Sequence, residues 1–171
     1  AKLNISYLSA QTISGTVYSA EDKLSNIGSG KTIALSVDGG AKTTVETTGG
    51  GAFSFSDVWA NVNDAITIFV DDEDESANLI SMASGADISG LEMYTDKVVL
   101  HHASAGPLTN TILDDADGSG DDDLAFSVSS GNSDFSDGFK VWIEAGKTYT
   151  PGGTVELDDL EVRGASGTFN C

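Results

Sequence analysis

Between Gly30 and Val70 the chain alternates apolar and small polar side chains and breaks that alternation with clusters of glycine. Ile33, Leu35 and Val37 alternate with Thr32, Ala34 and Ser36 before Asp38-Gly39-Gly40 interrupts. Thr43 to Thr47 follows, then Gly49-Gly50-Gly51, then Phe53 and Phe55 with serines between, and Ile66, Ile68 and Val70 close the stretch. A period of two sends alternate side chains to opposite faces of a strand, one buried and one wet. Glycine clusters supply the backbone angles of tight turns. The stretch therefore encodes four short antiparallel strands.

The same pattern recurs outside it. Ile13, Gly15 and Val17 form an earlier strand. Leu79–Met82, Ile88–Tyr94, Lys97–His101, Leu124–Val128, Phe139–Ile143, Val155–Leu157 and Leu160–Val162 form later ones. Leu108 to Leu113 suits either a strand or a helical turn. Strands spaced every 8 to 12 or so residues, with no sustained 3.6-residue apolar period, point to an all-β chain of the sandwich or barrel kind. At 171 residues it accommodates one medium domain or two small ones. Asp71-Asp72-Glu73-Asp74-Glu75 reads as a solvated turn or module boundary, because so many like charges resist packing. The organisation expected is an arm over 1–12, a first β module over 13–78, and a second β-rich module with an acidic loop over 79–171.

The arm has its own pattern. Leu3, Ile5 and Tyr7 alternate with Lys2, Asn4 and Ser6, as in a half-buried strand. It pairs either within its own sheet or with a neighbouring subunit, by addition to an open sheet edge.

The net charge is 8 − 27 = −19, divided as 4 − 11 = −7 over residues 1–80 and 4 − 16 = −12 over the remainder. Such a surface repels nucleic acid and anionic lipid and favours solubility and divalent cations. No run of 18 apolar residues offers a membrane-spanning helix. The single cysteine, Cys171, has no internal partner for a disulfide.

The best candidate metal site is the acidic segment from Asp114 to Asp123. Asp115, Asp117, Ser119, Asp121 and Asp123 alternate along a glycine-containing loop, and oxygen ligands so spaced suit calcium. Counted as an EF-hand from Asp115, the sixth position is Gly120 but the twelfth is Phe126, where a bidentate glutamate is required. The expectation is thus a calcium loop, not an EF-hand. His101 and His102 fall on opposite faces of a strand and do not share one metal. Trp59, Trp142 and Tyr149 suit a sugar-binding platform or the core, and the core reading is preferred. Neither a G-x-S-x-G serine elbow nor a P-loop occurs, and carboxylates are too abundant for any pair to mark a glycosidase. Asn4-Ile5-Ser6 is a glycosylation sequon.

SGTVY at Ser14–Tyr18, GSGKTIALSVDGG at Gly28–Gly40 and TTGGGAFSFSDV at Thr47–Val58 resemble the carboxypeptidase-regulatory-like and bacterial Ig-like β-sandwich modules of large surface proteins. In that family a strand opens with Gly-x-Val, and a Thr-x-x-Gly-x-Phe-x-Phe segment makes a hairpin into the core. The resemblance covers about residues 13–70, and the second half is similar to segments that follow such modules in long repeat-bearing surface proteins. It implies an antiparallel sandwich, Ig-like or transthyretin-like, in an extracellular structural or adhesive protein without enzymatic activity. The function expected is a subunit of an extracellular filament or cell-surface assembly. It polymerises with copies of itself through Leu3, Ile5 and Tyr7, with neither nucleic acid nor membrane insertion. The alternative is an adhesin module binding carbohydrate or another surface.

Overall fold

The computed structural model describes residues 9–164 and 166–170. Leu3, Ile5, Tyr7 and Cys171 lie outside the described residues. The elements in order are β1 (Gln11–Tyr18), β2 (Thr32–Val37), β3 (Thr43–Glu46), β4 (Ala52–Val58), β5 (Ala65–Val70), β6 (Asn78–Met82), β7 (Ile88–Tyr94), β8 (Lys97–Leu100), α1 (Asn110–Asp117), β9 (Phe126–Ser129), β10 (Asn132–Phe135), β11 (Lys140–Ile143), β12 (Thr148–Tyr149), β13 (Val155–Glu156), β14 (Asp159–Val162) and β15 (Thr168–Phe169). The chain is all-β with one short helix among the described residues.

The four strands read from Gly30–Val70 are present, but they divide between two sheets. β4 joins β1 and β7 in a three-stranded sheet, while β2, β3 and β5 belong to a seven-stranded sheet of order β14-β11-β8-β6-β5-β2-β3. Ile13, Val17, Phe53, Phe55, Leu91 and Met93 of the small sheet share one core with Ile33, Leu35, Ile66, Ile68, Leu79, Val99 and Trp142 of the large one. Gly15 makes the close approach possible. A Cβ there would press into the Leu91 carbonyl oxygen and stand 2.7 Å from Phe53 Cζ.

The opposite face of the large sheet is covered as well. Ile80, Met82, Val98, Leu100, Val141 and Ile143 meet Leu113 and Ala116 of α1, with Phe126, Phe135 and Tyr149. All of β5 and all of β6 are buried in consequence. Strands covered on both faces read as continuous apolar runs, which is why AITIFV lacks a wet side. The sheets are mixed, not antiparallel as expected. β1 runs parallel to β7, β8 parallel to β6, and β11 parallel to both β8 and β14.

The boundary expected at 78/79 falls at the start of β6, inside the seven-stranded sheet, which takes strands from both sides of it. The acidic run before it is fastened to the first half. Asp71 accepts from Lys42 Nζ at 2.6 Å, Glu73 from the Thr32 amide at 2.9 Å, and Glu75 from Lys31 Nζ at 2.7 Å. Lysines flanking β2 offset part of the charge, so Asp71 is buried and Glu73 and Glu75 are half-buried, while Asp72 and Asp74 stay in water.

Leu108–Leu113 resolves into the N-cap and first turn of α1. Thr109 is extended and its Oγ1 accepts from the Ile112 amide, an N-cap that satisfies one free donor of the first turn. Asn110 is buried and ties the helix down, donating to the Gly131 and Thr154 carbonyls and accepting from the Tyr149 hydroxyl.

Candidate functional site

After β9 the chain winds into stacked turns. β10, β11 and β12 form one turn, and β13, β14 and β15 lie parallel to them one for one. Ser133 stands beside Val155, Lys140 beside Asp159 and Thr148 beside Thr168, so the second turn retraces the first at a nearly constant offset. β8 and a parallel bridge from Leu108 to Tyr149 supply the layer beneath. Three rows of side chains therefore run up the stack: Val98, Val141, Leu160; Leu100, Ile143, Val162; and Leu108, Tyr149, Phe169.

Along each row the first two members are fully buried and the third is not. Val162, 39 % exposed, continues a row whose other members, Leu100 and Ile143, are 0 % exposed. Pro151, Gly153, Val155, Leu157, Leu160 and Phe169 line an apolar hollow of about 390 Å³ at this end. β14 is the last strand of its sheet, so its outer backbone groups have no ladder partner among the described residues. A sheet edge with uncovered apolar side chains behind it is a template for another strand. Its rim is acidic: Glu156, Asp158 and Asp159 are exposed. Lys140 reaches Asp159 at 3.3 Å, and Arg163 pairs with Glu161 at 2.7 Å while lying 4.0 Å above the Trp142 ring.

A second free edge lies across the molecule. β3 and β4 end their respective sheets. Between them Leu35, Val37, Ala41, Thr43, Phe55, Val58 and Trp59 line a groove of about 320 Å³. The bulge between Gln11 and Ile13, with Asp57 at a φ of 57°, twists β4 where an incoming strand would pair.

The five positions read as a calcium loop are not gathered into one. Asp115 and Asp117 lie on α1, and Asp117 accepts from the Val128 amide. Ser119 follows the helix. Asp121 and Asp123 instead approach Asp71, and the three carboxylates have ligand atoms within 4.8 Å of one another. Three carboxylates are a hard-cation set. Lys42, however, already bridges two of them, at 2.6 Å from Asp71 and 2.7 Å from Asp121. Burial pushes the Asp123 carboxyl up, with the neighbouring aspartates adding to the effect. Burial acts the same way on Asp121, but Lys42 and the Asp123 amide outweigh it and hold that carboxyl low. A divalent ion here would have to displace a resident ammonium. Asp71 was hidden from sequence reasoning because several strands and the helix separate it from Asp121, and because it opens a run whose charges suggested solvent.

His101 and His102 serve separate sites. His101 Nδ1 lies 3.0 Å from Ser81 Oγ, and burial pushes its pKa down to about 3. His102 Nε2 accepts from the Thr148 amide, which leaves Nδ1–H to donate to the Ser104 carbonyl. Trp142 and Tyr149 are core residues, 2 % and 0 % exposed, so only Trp59 of the three aromatics faces solvent.

In comparisons with known proteins, no family model, curated protein or solved structure matches this chain.

Proposed function

We propose that the protein is a structural, non-enzymatic subunit of an extracellular filament or cell-surface assembly, joined to its neighbours by β-strand addition. One observation carries this reading. The seven-stranded sheet ends at β14 in a parallel edge whose inner side chains, Leu160 and Val162, continue buried rows but lack, among the described residues, the layer that would bury them. Covering a half-buried Leu or Val contributes about 1 kcal/mol, and backbone pairing fixes the register. The N-terminal segment with Leu3, Ile5 and Tyr7 is the strand that a neighbour would donate. The charge of −19 keeps free subunits apart until such pairing occurs.

The test is a chain lacking residues 1–8, compared with the full chain by sedimentation and negative-stain microscopy. The full chain forms fibres or a lattice and the truncated chain stays monomeric with an unchanged urea midpoint. Assemblies that form equally well without those residues refute strand donation.

A second reading, binding of a carbohydrate or other surface, rests on Trp59, which is 59 % exposed at the rim of the β3–β4 groove. Glycan binding abolished by Trp59→Ala would favour it.

A further inference from the structure

Three of the eight basic residues begin the same four-residue pattern, a lysine followed by an apolar residue, any residue and another apolar residue. They are Lys97-Val98-Val99-Leu100, Lys140-Val141-Trp142-Ile143 and Lys2-Leu3-Asn4-Ile5. The first two are β8 and β11, side by side in parallel and in register, Lys97 opposite Lys140 and Leu100 opposite Ile143. The next strand outward, β14, keeps the two apolar positions as Leu160 and Val162 but replaces the lysine with Asp159. A lysine-led strand therefore lies against an aspartate-led one, and Lys140 contacts Asp159 at 3.3 Å.

We infer that the edge of β14 accepts residues Lys2–Ile5 of a second copy of this chain, parallel and in register: Lys2 against Asp159, Leu3 against Leu160, Asn4 against Glu161 and Ile5 against Val162. The inference rests on the assembly reading above and names its acceptor and its register. Two of the three rows of the stack then gain the member they lack. Leu3 extends Val98, Val141 and Leu160, and Ile5 extends Leu100, Ile143 and Val162.

Charge selects this occupant over the other edges of a second copy. The β14 rim carries Glu156, Asp158 and Asp159, all exposed. Two β14 edges meeting would set acid against acid, which is destabilising for directly opposed strand residues. Lys2 brings the opposite sign to Asp159, whose side chain is 60 % exposed and open to a second cation beside Lys140. β1 begins at Gln11, so the segment before it is long enough to leave its own subunit, since eight extended residues reach about 28 Å. Donor and acceptor are different surfaces, so the contact is head-to-tail and propagates as an open filament.

The experiment is disulfide trapping in the full chain carrying Cys171→Ser. Asn4→Cys with Glu161→Cys places the thiols on neighbouring parallel strands about 4.8 Å apart, within the reach of a disulfide. Asn4→Cys with Leu160→Cys is out of register and faces the other side of the sheet. Asn4→Cys with Ser56→Cys samples the rival β4 edge. Mild oxidation of the first pair gives a ladder of covalent oligomers, and the other two pairs remain monomeric. If Glu161→Cys does not fold, Lys2→Cys with Asp159→Cys asks the same question. Assemblies that form in the unoxidised chain but link through Ser56, or through neither edge, overturn this register and leave the assembly reading standing. A chain that scatters no light at any concentration and links through no pair sinks both.

Discussion

Glu144 follows β11, and its side chain is only 24 % exposed. Burial pushes its carboxyl from an ordinary 4.5 up to about 7, Lys147 pulls against that, and Glu92 adds to it. Lys23 and Arg163 share the same hollow, and His101 stands 3.8 Å away but uncharged at neutral pH because burial holds its pKa near 3. A folded-state pKa above the unfolded one means that the folded chain binds the proton more tightly. The resulting stabilisation is complete below pH 4.5 and is lost as the pH rises through 7. At 1.36 kcal/mol per pH unit, the gap between 4.5 and 7 amounts to about 3 kcal/mol. Glu144→Gln keeps the shape and removes the ionisation. Urea midpoints of both proteins at pH 5 and pH 8 isolate the effect, because every other carboxylate cancels in the difference. The variant should gain on the parent by about 2–3 kcal/mol between those two pH values. A difference that does not change with pH would show that Glu144 is solvated and that the reasoning fails.

Three further outcomes follow from the packing. Gly15→Ala forces a methyl into the Leu91 carbonyl and the Phe53 ring, and should cost about 1–3 kcal/mol in a urea titration. Asn110→Ala strips the Gly131 carbonyl of its side-chain donor, while the Tyr149 hydroxyl and the Thr154 carbonyl keep Ser133, and should lower stability by about 1–2 kcal/mol. Lys42→Met removes the ammonium from Asp71 and Asp121. The variant's melting temperature should then rise in millimolar calcium relative to chelator by more than the parent's does, and equal responses would deny the triad any cation affinity.

Much of the strand set was legible because its signal is local. Alternation from Thr32 to Val37 or Ala52 to Val58 needs only neighbouring residues to be recognised, and the glycine turns between mark the ends. Partnership was not legible, because β1 takes its parallel partner from far along the chain, Ile13 beside Ile88, and nothing near either strand records it. The stacked turns escaped for a related reason. They repeat a geometry, with Tyr149 over Leu108 and Phe169 over Tyr149, but share almost no residue identities. β10, β12 and β15 are also too short, and NSDF too polar, to carry a period of their own. Of the acidic site, Asp121 and Asp123 were found by composition, whereas Asp71 and Lys42 joined them only through the fold.

The position of β1, between β4 and a parallel β7, has a kinetic consequence. Its antiparallel partner ends at Val58, but its parallel partner is complete only at Tyr94, so β1, made before every other described strand, gains its second neighbour only after β2 to β6 have been made. Long-range parallel pairing carries the loop-closure cost before any contact repays it, and such topologies fold slowly. A chain synthesised or threaded in the N-to-C direction would hold β1 without its parallel neighbour until Tyr94 had emerged. The small sheet thus waits for β7, around a strand made before the other two.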